Sequence, residues 1–217
     1  MAGSELRLFP LQTVLFPGMA LPLHVFEDRY RQLISECVEA SEPFGIVLIR
    51  EGEEVGGEAI PHDIGTTARI DSLQTDDAGR IQLLAMGERR FRVTELHHDR
   101  PYPWAEVSYP EDEGTDVPDS LLARARDRYG SLLRLRMVAS GEYVRKVDTP
   151  SDAAKLADTV GAAIAVSPET RQELLEAIDV TRRLELALAL MDDSLPVMER
   201  EVQAAMSRRF SDPTRLN

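Results

Sequence analysis

Apolar and polar positions along this chain follow two different rhythms, one strand-like and one helical. The runs FGIVLI (44–49), TTARIDSL (66–73), RIQLLAM (80–86), RRFRVTEL (89–96) and WAEVSY (104–109) are short and rich in β-branched or aromatic residues. Turn-forming residues separate them, which predicts five strands. Asp76-Asp77-Ala78-Gly79 and Gly87-Glu88 are the turn candidates, each short enough for an antiparallel hairpin. The charged stretch Glu51 to Glu58 reads as a solvated hairpin tip. One helix interrupts the strands. Tyr30, Leu33, Ile34, Cys37 and Val38 form an apolar stripe at helical spacing, with Asp28 as the expected N-cap. Cys37 lies on that stripe, so it is expected to be a small buried hydrophobe rather than a nucleophile.

Past the acidic, proline-broken segment PEDEGTDVPDS (110–120) the period becomes helical throughout. Leu121, Leu122, Ala125, Tyr129, Leu132 and Leu133 make one stripe, and Ala153, Leu156, Ala157, Val160 and Ile164 another. Ser167-Pro168-Glu169 reads as N-cap, N1 proline and first-turn acid. Leu174, Leu175 and Ile178 follow, then Leu184, Ala187, Leu188 and Met191, and finally Leu195, Met198, Val202 and Met206. The expected class is α+β: residues 1–110 form a mostly antiparallel small barrel or sandwich with one helix, and residues 111–217 a helical bundle.

The opening LRLFPLQTVLFPGMALPLHVFEDRY (6–30) fits neither rhythm. It carries no charge between Arg7 and Glu27 and is broken by Pro10, Pro17 and Pro22. Proline lacks a backbone donor, so this stretch suits a loop and strand edges rather than paired central strands.

Charge narrows the function classes. The first 110 residues carry 10 basic and 18 acidic side chains and the remainder 15 and 20, so neither half is basic and the net charge is −13. Such a field repels phosphate backbones and anionic lipid, which makes nucleic acid an unfavourable partner. The longest apolar runs, such as GIVLI and VGAAIAV, are too short to span a bilayer, and no leader pattern precedes them. A cytoplasmic location is expected. A single cysteine excludes an internal disulfide and a cysteine-built zinc site.

Catalytic patterns are missing. Neither lysine, Lys146 or Lys155, follows a glycine, so there is no P-loop, and HExxH and GxSxG do not occur. His97 and His98 would point to opposite faces of a strand. No metal site, cofactor or catalytic residue is predicted. The one ligand-like cluster is GERRFRV: with Phe91 and Val93 inward, Arg90 and Arg92 share the outward face and could hold an anion or a carboxylate.

These residues carry a family resemblance. LRLFPLQTVLFPGMALPLHVFEDRYRQLI resembles the start of the N-terminal domain of Lon proteases. IGTTARIDSLQTDDAGRIQLLAMGERRFRVTEL and SPETRQELLEAIDVTRRLELALALM continue the likeness, from about residue 6 to 205. The resemblance implies a PUA-like pseudo-barrel followed by helices. It implies a stand-alone substrate-binding domain without the ATPase motor or the serine–lysine protease domain of the full enzymes. The implied partner is an unfolded or peptide segment, or another protein; a PUA-like nucleic-acid or small-ligand binder is the alternative. In the family the start of the first helix is implicated in substrate contact, which here falls on Asp28 and Arg29, while Gln32 stands where a basic residue can occur. Phe16, Pro17 and Met19 of the apolar opening complete the expected polypeptide-binding set. The sequence leaves the oligomeric state open.

Overall fold

Five strands close on themselves because the first one has two partners. The computed structural model describes residues 4–54, 59–77, 79–140 and 149–210, with side chains to residue 204. The first half of β1 (Ser4–Leu11) runs antiparallel to β7 (Trp104–Ser108), pairing Ser4 with Val107 and Arg7 with Trp104. Its second half runs parallel to β3 (Phe44–Glu51), from Leu8 with Gly45 to Leu11 with Leu48. Between those partners lie β6 (Ile81–His97) and β5 (Ile64–Thr75), giving the order β1-β7-β6-β5-β3 and back to β1. β2 (Ala20–Val25) adds to the first half of β6, and the short β4 (Ile60–Pro61) to the end of β3.

The prolines sit where the missing donor is tolerated. Pro22 lies on β2, which pairs with β6 alone. Pro10 pairs with Val47 in the half of β1 that has left β7. β3 is apolar at six successive positions, all buried, because it is covered on both faces.

Gly87 is not a turn. β6 runs unbroken through it for 17 residues. The chain 15–19 crosses β6 at this point, with Gly18 N–H donating to Gly87 O at 2.8 Å and Gly87 N–H to Met19 O at 2.9 Å. A Cβ at residue 87 would overlap the Phe16 carbonyl, so glycine is required by close approach rather than by chain reversal. Of the other turn candidate, Ala78 lies outside the described residues, as do Gly56 and its neighbours 55–58 in the charged loop; Asp76 accepts from Gly79 N–H and donates to Arg80 O.

The helix α1 (Asp28–Ala40) buries Tyr30, Leu33, Ile34 and Cys37 against the sheet. Glu27 is its N-cap and Asp28 the first helical residue, where a carboxylate still faces the positive end of the helix dipole. Ser41 closes it in the left-handed conformation. Burial pushes the Cys37 thiol up to about 11, so it remains protonated and unreactive at neutral pH.

Four helices follow: α2 (Asp119–Ser140), α3 (Ala153–Ala163), α4 (Pro168–Glu176) and α5 (Val180–Phe210). Asp152 caps α3 through Lys155 N–H, and Ser167 caps α4 through Thr170 N–H with Pro168 following. α5 continues through Pro196, joining two predicted stripes in one helix; the side chain of Met206 lies outside the described residues. The bundle's core includes Val14, Phe16, Leu48 and Ile64, so the strand-rich and helical parts share buried apolar surface.

Candidate functional site

The residues that the sequence groups together fall in three places. Phe16 is fully buried, the bolt between the strand-rich part and the bundle. A Cβ on Gly161 of α3 would meet its ring at 2.7 Å, and the Arg171 guanidinium of α4 lies 5.6 Å from its centre. Arg171 also donates to Val14 O at 3.2 Å and to Met19 Sδ at 3.4 Å. A polypeptide therefore cannot touch Phe16 in this conformation, and Met19 is half-buried beside it. Pro17 forms part of the wall of a cleft of about 460 Å³ between β6 and α3, which Arg89, Pro110, Pro150 and Lys155 also line.

Arg90 and Arg92 do not share a solvent face. Arg92 is exposed, but Arg90 is buried at the junction, because the outside of the barrel is here the inside of the molecule. Its Nε donates to Leu175 O at 2.8 Å and its Nη1 to Asp158 Oδ2 at 3.2 Å, with Nη2 bonded to Asp158 Oδ1. Arg183 of α5, also buried, donates to the same Asp158 at 2.7 Å and to Asp112. Two guanidiniums and two carboxylates thus tie β6, the linker, α3 and α5 together. Burial, then the like charge of Arg90, lowers the Arg183 pKa, which the two carboxylates oppose. The carboxylate that the arginine cluster holds is internal.

Asp28 and Arg29 stand at the start of α1, where an apolar residue is left exposed. Phe26 is 56% exposed, the highest value among the large hydrophobic side chains described. Beside it is a hollow of about 250 Å³ lined by Phe9, Leu11, Leu23, Val25 and Tyr30 together with the polar His24, Glu27 and Glu54. Phe9 and Tyr30 stack in its wall, ring centres 4.2 Å apart. Arg29 lies over Tyr30 at 4.6 Å and donates to Glu27 at 3.0 Å, and Asp28 pairs with Arg31. This arrangement offers an apolar socket with polar edges and no aligned nucleophile and base; it can hold an apolar side chain. Sequence reading missed Phe26. The available signal was its phase: Leu21, Leu23 and Val25 alternate inward on β2, and Phe26 follows out of step.

Residues 5–193 match the family described as the ATP-dependent protease La (LON) substrate-binding domain. The chain belongs to this family. It is 32% identical to Lon protease 2 of Myxococcus xanthus over 203 residues, 89% of this chain and 24% of that protein. It is 29% identical to the Lon protease of Paraburkholderia phytofirmans over 98% of its own length. The chain spans about a quarter of the length of these relatives. Among solved structures, a Lon N-terminal domain protein from Xanthomonas campestris shares 30% identity at a TM-score of 0.67, covering 86% of this chain and 98% of that one. The N-terminal domain of a Mycobacterium avium complex Lon protease superposes equally well at 24% identity. The Lon substrate-binding fold thus accounts for both the sheet and the later helices, and no helix among the described residues is long and apolar enough to cross a membrane.

Proposed function

We propose that this Lon substrate-binding domain holds unfolded or extended polypeptide by contact alone, without breaking covalent bonds, and that the hollow at the start of α1 receives an apolar side chain of the bound segment. The observation that carries this reading is Phe26, an exposed aromatic residue at the mouth of an apolar hollow. Exposed aromatic surface is costly to leave in water and gains when a partner covers it. The family supports the choice of partner, a protein or peptide. Arg90's commitment to Asp158 removes one of the two cations on which a phosphate-binding face would rest.

Fluorescence anisotropy with labelled peptides drawn from an unfolded protein tests the proposal. Binding is expected, with Phe26→Lys weakening it about tenfold or more, since losing one well-packed aromatic contact costs about 2 kcal/mol. Absence of binding to any peptide overturns the reading.

A further inference from the structure

The barrel opens at one seam. β3 pairs with β5 only where Phe44, Gly45 and Ile46 face Ala68, Thr67 and Thr66. Beyond Ala68, β5 continues to Thr75 with β6 on one side, and among the described residues no strand takes the other side. A register shift between Ile70 and Ser72 breaks the ladder, leaving Ser72, Leu73, Gln74 and Thr75 as a regular open edge. Alternate backbone N–H and C=O groups of such an edge point outward and can accept another strand.

Beside this edge lies a groove of about 580 Å³. Its apolar surface comes from Val38 at the end of α1, Pro43, Ile70 and Leu73. Val38 is 51% and Leu73 38% exposed. The charges around it are unbalanced: Glu42, Asp71 and Glu88 line the groove with Arg69, and Glu42 is also paired to Arg7 at 2.8 Å, which leaves one carboxylate in excess. Arg69 is already engaged by Asp71 at 3.2 Å and Glu88 at 3.6 Å. The surplus has the same sign as the chain's net charge of −13.

We infer that the open β5 edge is a second polypeptide site, which takes a short extended segment by strand addition, apolar at alternate residues and flanked by Lys or Arg. Main-chain hydrogen bonds to residues 72–75 supply affinity, an apolar side chain covers Leu73 and Val38, and the carboxylate rim selects the flanks. The bulge at Asp71 keeps the edge short, so pairing is limited to about four residues and indiscriminate sheet growth is resisted. This inference rests on the polypeptide-binding reading above but concerns another face.

Three labelled peptides with one alternating apolar core test it: Lys-flanked, Asp-flanked, and Lys-flanked with N-methyl groups along one backbone edge. Each is titrated into the wild-type chain and the Leu73→Lys and Phe26→Lys variants, with circular dichroism confirming that the exposed substitutions leave the fold intact. The expected result is binding of the Lys-flanked peptide, at least tenfold weaker with Asp flanks, with N-methylation or with Leu73→Lys. Amide chemical-shift changes are expected at Ser72–Thr75, with weakening as salt rises. Binding that survives Leu73→Lys but is lost in Phe26→Lys overturns the β5 site and leaves the α1 hollow standing. Equal affinity for the three peptides overturns the strand-addition and charge assignments. No binding by any peptide overturns this inference together with the proposed function.

Discussion

Arg90 and Arg183 gain their order from each other's partners. Asp158 is shared between them, Asp112 supports Arg183, and the Leu175 carbonyl accepts a hydrogen bond from Arg90 Nε–H. Removing one member of such a buried set leaves a neighbour with uncompensated charge, which typically costs about 3–5 kcal/mol. Arg90→Met should therefore lower the free energy of unfolding, measured by urea denaturation, by that amount. The Arg90→Met/Asp158→Leu double variant should lose less than the sum of its single changes, because the orphaned carboxylate is gone. Additive losses would show that the contacts are not energetically coupled. The position also shows what strand alternation can tell. Placing Phe91 inward and Arg90 outward is right about the barrel, since Phe91 is fully buried in the strand-rich core. It is silent about what covers the barrel's outside, and α3, α4 and α5 decide that Arg90 is buried.

At the scale of elements, periodic stripes were readable wherever one face is buried. The α1 stripe from Tyr30 to Cys37, the Ser167 cap of α4 and β7 appear as their sequences predict, because local preference and tertiary burial agree there, whereas Val38 at the end of the stripe is exposed. β1 and β2 were not resolved as strands, since prolines that an edge tolerates look like loop signals. Gly87 misled for a related reason: a glycine between two strand-like runs has the same pattern whether the chain turns or another backbone crosses it. The distinction is testable. Gly87→Ala must push the 15–19 segment off β6, and overpacking of this kind costs about 1–3 kcal/mol. A lowered melting temperature is expected; an unchanged one would mean the crossing is loose. The open β5 edge was legible in neither rhythm, because where β3 stops pairing depends on the α1 to β3 connection rather than on β5 itself.

For the whole molecule, the shared core makes the two halves interdependent. Phe16 comes from the strand-rich part and fills space against Gly161 and Arg171 of the bundle. Trp104, the sole tryptophan, reports on β7, while far-UV ellipticity reports mostly on the helices. The two signals should follow one denaturation curve, as a cooperative unit requires. Phe16→Ala should shift both together by about 3–5 kcal/mol, the usual cost of emptying a buried phenylalanine site. Separate tryptophan and ellipticity transitions in the wild-type chain would show that the halves unfold independently.

β1 is threaded between β7 and β3, and Phe16 just after it is roofed by α3. On the ribosome, the barrel's first stave is made long before its last, and the roof later still. Until α3 has emerged, the nascent chain carries an unsealed greasy seam, and a domain we propose to hold unfolded chains is for that interval one of them.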